Sequence, residues 1–187
     1  MVSKTYSTRS LNQAQLTNLR VAVKHLDGLV LRPGDSFSFN RVVGPRTAPR
    51  GYRLAPSYLG GESPASMGGG ICLLSSAVYQ LVLEAGLPIQ ERVPHLRTIH
   101  SVPPGLDATV WYGQADLKFA NSLPIPLRVT AKLRSGSLQL GLQGEKVIDP
   151  VVIQRITRKL NPEQVQVTVL RAGQVVSSDR YRLSPGG

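Results

Sequence analysis

Cys72 is the only cysteine in this 187-residue chain. It stands between Met67-Gly68-Gly69-Gly70-Ile71 and an apolar run that continues from Leu73 to Ala85 and stops at Gly86. Leu74, Val78, Leu81, Val82 and Ala85 recur at helical spacing, which places the thiol on the first turn of a helix. Unpaired amides and the positive end of the helix dipole favour a thiolate there, and three glycines let a neighbouring backbone or a substrate come close. That is how a nucleophilic cysteine is presented; the competing reading is an inert, buried thiol behind a tight turn. A nucleophilic thiol also needs an imidazole to exchange its proton and a third polar group to orient the imidazole. His95 and Asp107 follow in that order, with His100 as a competing base and Asp116 as a competing orienter. Cys72, His95, His100 and Asp107 have neither CxxC nor HxxxH spacing, which argues against a metal site, and no cofactor is called for.

The elements that must carry these residues are read from periodicity and turn signals. Ser10-Leu11-Asn12-Gln13 has the form of a capping box, and Leu16, Leu19, Val23 and Leu26 repeat as the buried stripe of a helix ending at Gly28. Leu31-Arg32-Pro33-Gly34-Asp35 reads as a turn into a short strand, Phe37-Ser38-Phe39. The Pro- and Gly-rich stretch from Gly44 to Gly70 reads as a long irregular loop that walls the thiol. The helix after Cys72 holds one charged side chain, Glu84, so it is expected to be buried and packed on a sheet. Beyond it the period changes to two. Asp107–Tyr112, Leu117–Phe119, Leu127–Ala131 and Ser137–Leu140 read as strands, with a hairpin turn at Ser135-Gly136. After Asp149-Pro150, Val151–Ile153, Gln164–Val169 and Val175–Val176 read as a terminal β hairpin that contributes no chemistry. The predicted class is therefore α+β: a buried central helix carrying the cysteine, packed on an antiparallel sheet that presents His95 and Asp107, with a C-terminal hairpin.

The net charge is +11, from 22 Lys and Arg against 11 Asp and Glu, and residues 1–50 hold eight basic and two acidic side chains. Such a surface suits a polyanion. The basic residues are scattered singly, without a Lys/Arg block or interleaved aromatics, which sets nucleic acid aside. A single cysteine excludes an internal disulfide. No apolar run is long enough to span a bilayer, and Met1-Val2-Ser3-Lys4 lacks the apolar core of a signal peptide, so a targeting segment, if used, is expected to have been removed.

Six motifs, in order and spacing, closely resemble the VanW family over residues 6–145: Pro33–Asn40, Gly51-Tyr52, Gly68–Cys72, Glu91–His95, Pro103–Val110 and Asp116–Asn121. The resemblance implies an extracytoplasmic or cell-envelope protein associated with glycopeptide resistance, whose partner is a cell-wall peptide or polymer. It makes residues 6–145 the family domain and residues 146–187 a β extension. It offers Gly68, Gly69, Gly70, Arg92, Asp116 and Asn121 as substrate-binding or site-supporting residues beside Cys72, His95 and Asp107. Leu73 departs from the family's usual Gln, which leaves backbone amides such as that of Cys72 to hold an oxyanion. The order Cys, His, Asp is also similar to that of transglutaminase-like enzymes, and the expected layout is transglutaminase-like or papain-like. Two functions follow: a cysteine-dependent hydrolase or acyltransferase acting on an amide or peptide bond of peptidoglycan or its precursors, or a non-catalytic envelope module binding peptidoglycan or an anionic wall polymer.

Overall fold

In chain order the elements are β1 (Val2–Ser7), α1 (Gln13–Leu26), β2 (Val30–Leu31), β3 (Ser36–Ser38), α2 (Phe39–Val43), β4 (Leu54–Ala55), β5 (Ser66–Met67), α3 (Cys72–Glu84), β6 (Ile89–Glu91), β7 (Lys118–Ala120), β8 (Leu127–Arg134), β9 (Ser137–Gly144), β10 (Ile153–Asn161), β11 (Gln164–Arg171) and β12 (Gln174–Arg182). This computed structural model describes residues 1–57 and 65–184. The protein is mixed α+β, with its named strands paired antiparallel into sheets of order β1-β9-β8-β2, β3-β7-β6, β4-β5 and β10-β11-β12.

The largest core lies where α1 and α3 meet the β1-β9-β8-β2 sheet. Period two turns Leu127, Val129 and Ala131 of β8 and Leu138, Leu140 and Leu142 of β9 inward, and period 3.6 turns Leu19, Ala22 and Leu26 of α1 toward them. Each fully buried Leu contributes roughly 1.5–3 kcal/mol relative to exposure. In α3 every residue from Leu73 to Leu83 is buried, as its lack of charge requires. Among the described residues no helix is long and apolar enough to cross a membrane.

Several boundaries differ from the sequence reading, each for a local reason. The capping box of α1 is Asn12 with Gln15: Asn12 Oδ1 accepts from the Gln15 amide at 2.9 Å and Gln15 Oε1 accepts from the Asn12 amide at 3.0 Å. Ser10 instead belongs to the turn after β1, closed by the Leu11 amide donating to Thr8 O at 3.1 Å. Phe39 starts α2 rather than ending a strand, because the Ser38 hydroxyl caps the Arg41 amide at 3.1 Å. Within Gly44–Gly70 the chain makes a 3₁₀ turn at Ala48–Arg50 and the β4-β5 pair; residues 58–64 of that stretch lie outside the described residues.

Residues 107–112 form no named strand: their ladder-type pairing is confined to the isolated bridges Val93 to Thr109 and Trp111 to Ala115, and Tyr112 stands in a turn. Their backbone is taken by side chains of α3. The C-terminal segment is a three-stranded sheet, not a hairpin, since β10 runs to Asn161 and pairs along β11. Its inward face buries Val165, Val167, Val169 and Tyr181, and Val169 joins the main core. Gly105 makes this contact possible: at φ +85° its missing side chain would stand 2.8 Å from both Val167 and Val169.

Candidate functional site

The turn that delivers Cys72 is pinned from α1. Asn18 is fully buried, its Nδ2 donating to Arg53 O at 3.0 Å and Gly69 O at 2.9 Å while its Oδ1 accepts from the Arg53 amide at 2.7 Å. Gln15 Nε2 adds a bond to Pro56 O at 3.1 Å. At Gly69 a Cβ would lie 2.1 Å from Ala55 O, and at Gly68, with φ +82°, it would lie 2.6 Å from Arg46 Cγ. Glycine is needed at these two positions for close approach, of backbone in one case and of an arginine stem in the other.

Polar side chains on α3 then fix the segment bearing Asp107. Ser75 Oγ donates to Ala108 O at 2.6 Å, Ser76 Oγ accepts from the Ala108 amide at 3.0 Å, and Gln80 Nε2 donates to Leu106 O at 3.1 Å. The thiol at the start of the same helix points along this segment, with Sγ 3.9 Å from Val110 O.

Asp107 is the hub behind the cleft. Its Oδ2 accepts from both the amide and Nδ1 of His95, each at 2.7 Å. Its Oδ1 accepts from Arg92 Nη2 at 2.9 Å, Tyr181 Oη at 2.7 Å and the Gly105 amide at 3.2 Å. Arg92 Nε also donates to Asp107 O at 2.8 Å; its guanidinium pairs with Asp179 and lies 5.2 Å from the centre of the Tyr79 ring. Burial alone would raise the Asp107 carboxyl, but the bond from His95 and the Arg92 charge outweigh it and hold it at about 2. An ionised carboxylate only accepts, so Nδ1 of His95 carries a proton. Burial would lower the His95 pKa, yet Asp107 and the neighbouring Cys72 raise it to about 9. The other ring nitrogen, Nε2, is buried with no hydrogen-bond partner.

Cys72 and His95 line one cleft of about 420 Å³ together with Gly68, Gly69 and Gly70, a volume suited to a small ligand or a short peptide. Trp111 and Tyr112, 38% and 52% exposed, form its lip. Arg46 lines it from the loop side. Arg92 stands behind Asp107 and does not line the cleft. His100 is exposed and away from it.

Asp116 and Asn121 are not brought to this cleft. Asp116 accepts from Ser38 Oγ at 2.6 Å, from the Asn40 amide at 2.9 Å and from the Leu117 amide at 2.8 Å, tying the start of α2 to β7. Asn121 is buried, its Nδ2 donating at 2.9 Å to both Leu31 O and Ile125 O. The carboxylate and the amide are thus engaged with local groups, most of them backbone. Among the described residues, no group of three or more His, Cys, Asp and Glu is placed to hold a metal ion.

Sequence reasoning missed Asn18, Arg46, Asp179 and Tyr181. The C-terminal sheet, expected to stand apart, supplies two of these to the Asp107 network. Ser75, Ser76 and Gln80 did carry a signal: polar residues in an otherwise apolar helix need buried partners.

The chain belongs to the VanW-like protein family, whose family model, described as VanW like protein, matches residues 14–142. It is 39% identical over 161 residues to "Uncharacterized protein YoaR" of Bacillus subtilis (strain 168), covering 83% of this chain and 53% of that protein. It is 33% identical over 109 residues to "Vancomycin B-type resistance protein VanW" of Enterococcus faecalis (strain ATCC 700802 / V583), covering 56% of this chain and 40% of that protein. The chain thus spans about half or less of the length of these relatives. No solved structure gives a significant match.

Proposed function

We propose that the chain is a cell-envelope protein in which Cys72, His95 and Asp107 cleave or transfer at an amide or peptide bond of peptidoglycan or its precursors. The observation that carries this reading is the state of His95: Nδ1 is held on Asp107 at 2.7 Å, while Nε2 is unpartnered in a residue that shares the cleft wall with Cys72. The envelope setting and the link to glycopeptide resistance rest on the family and on the name of the Enterococcus relative.

In this reading the Cys72 thiolate attacks the substrate carbonyl, forming a carbon–sulfur bond. The tetrahedral oxyanion takes a hydrogen bond from a backbone amide at the start of α3, since Leu73 offers no side-chain donor. The imidazolium of His95 gives its proton to the leaving nitrogen as the carbon–nitrogen bond breaks. His95, now neutral, takes a proton from water or from an acceptor amine, which attacks the thioester; the carbon–sulfur bond breaks and Cys72 leaves as the thiolate, restoring the starting pair. Asp107 keeps the imidazole in one tautomer and stabilises its charge, and Arg92 keeps Asp107 ionised. The layout is read as transglutaminase-like or papain-like on this order of groups.

The test is to incubate the protein and Cys72→Ala with purified peptidoglycan and its stem peptides and to follow products by mass spectrometry. Bond cleavage or transfer that requires Cys72 supports the reading. Binding without any Cys72-dependent product would favour the second reading, a non-catalytic wall-binding module, for which the exposed Trp111 and Tyr112 at the lip and the net charge of +11 speak.

A further inference from the structure

Arg46 lines the cleft without an ion-pair partner among the described residues. Its stem passes beneath Gly68, and its Nη1 donates to Asn40 Oδ1 at 2.6 Å and Gly44 O at 3.1 Å. The guanidinium lies 5.6 Å from the centre of the Phe39 ring and 6.0 Å from that of Tyr112. The plane is therefore fixed, and its other nitrogen, Nη2, is buried without a partner. Among the described residues no carboxylate forms an ion pair with it; Asp116 acts on it only through space. Burial pushes the Arg46 pKa down, and Tyr52, Cys72 and Asp116 offset this only in part. A half-buried guanidinium whose Nη2 is buried and orphaned is costly unless an anion completes it.

We propose that this anion is a carboxylate of the substrate, so that the cleft selects peptides whose free C-terminal carboxylate adjoins the bond offered to Cys72. This deepens the cysteine-enzyme reading and rests on it. Three observations choose a carboxylate near the thiol. Arg46 and Cys72 line the same cleft. Arg46 is the only Lys or Arg among the described residues that line it, which matches a singly charged group better than a phosphate. The fixed guanidinium plane is pre-organised for a planar acceptor. Phe39 is buried in the core, whereas Tyr112 is half exposed, so Tyr112 is the neighbour that yields when the carboxylate reaches Nη2.

The experiment pairs stem peptides that are identical except for a C-terminal acid or amide. Binding to Cys72→Ala is measured by calorimetry and turnover by the native protein. The acid is expected to be preferred by about ten-fold or more, the scale of one hydrogen bond to a charged group. Arg46→Met is expected to remove that preference by weakening the acid alone, and Arg46→Lys to retain part of it. Equal handling of acid and amide by the native cleft overturns the proposal without needing any variant to fold. So does an Arg46→Met variant that lowers turnover of both forms alike and slows alkylation of Cys72, which would make Arg46 a counter-charge for the thiolate. A peptide ending in a phosphate and bound more tightly than the acid would also overturn it. An acid preference in Cys72→Ala with no turnover by the native protein leaves the carboxylate site standing and removes the enzyme reading; turnover without acid preference does the reverse.

Discussion

The hydroxyl of Tyr181, in the last strand, donates to Asp107 Oδ1 at 2.7 Å and accepts from the Gly105 amide at 2.9 Å. It thus binds the turn that carries Asp107 to a sheet outside the stretch matched by the family model. Tyr181→Phe keeps the ring and removes both bonds, together with the one that Arg92 Nη2 donates to the same hydroxyl at 2.9 Å. It is expected to destabilise the protein by about 1–3 kcal/mol, the range for stranding buried polar groups, as measured by urea denaturation. An unchanged midpoint would mean that the other donors to Asp107 suffice.

Asp107 and His95 are shifted in opposite senses and together give this pair its own pH range of stability. Asp107, held at about 2 against an ordinary 3.8, contributes stability above 3.8 that is lost as pH falls through about 2. His95, raised to about 9 from 6.5, contributes stability below 6.5 that is lost as pH rises through about 9. The plateau from this pair therefore lies between about pH 4 and 6.5. Asp107→Asn should lower that plateau and flatten both limbs in unfolding midpoints taken across pH. A variant that retains the full alkaline limb would show that Asp107 is not what raises His95.

Reactivity of the thiol should follow His95. Iodoacetamide labelling of Cys72, recorded as rate against pH in folded protein, is expected to persist in mildly acidic solution in the native chain and in His100→Ala. His95→Ala should slow it there by about ten-fold or more, because the imidazolium that favours the thiolate is gone. Matching profiles for the native chain and His95→Ala would break the proposed pair.

Gly69→Ala tests the turn itself. A methyl group 2.1 Å from Ala55 O cannot be housed without moving backbone, so a loss of about 1–3 kcal/mol is expected. The Asn18 clamp on Gly69 O should loosen with it. Slower labelling of Cys72 at unchanged secondary structure would show that the displaced turn carries the thiol with it. A neutral substitution would mean that β4 can give way.

What was legible in the sequence was local. The helix after the glycines follows from its own periodicity, and the pairing of β8 with β9 follows from the alternation on either side of Ser135-Gly136. His95 and Asp107 could be named as candidates because residue type and motif pointed to them. Asp116 has the same chemistry as Asp107 but holds the Ser38 hydroxyl where Asp107 holds an imidazole and a guanidinium, and only three-dimensional structure separates the two. Asn18 and Tyr181 could not be found, since an Asn on an amphipathic helix and a Tyr in a terminal strand give no sign of a partner 51 or 74 residues away. The strand expected at 107–112 failed because side chains of α3 took backbone groups that a ladder would have used.

The span between Asp107 and Tyr181 also bears on timing. During synthesis the helix with Cys72, the ring of His95 and the carboxylate of Asp107 all leave the ribosome before the strand that completes the carboxylate's shell of donors. Domains generally fold as units, and a contact of long sequence separation can close only when both of its halves have emerged. The charge arrangement of the cleft is therefore complete only once β12 has been made and has docked.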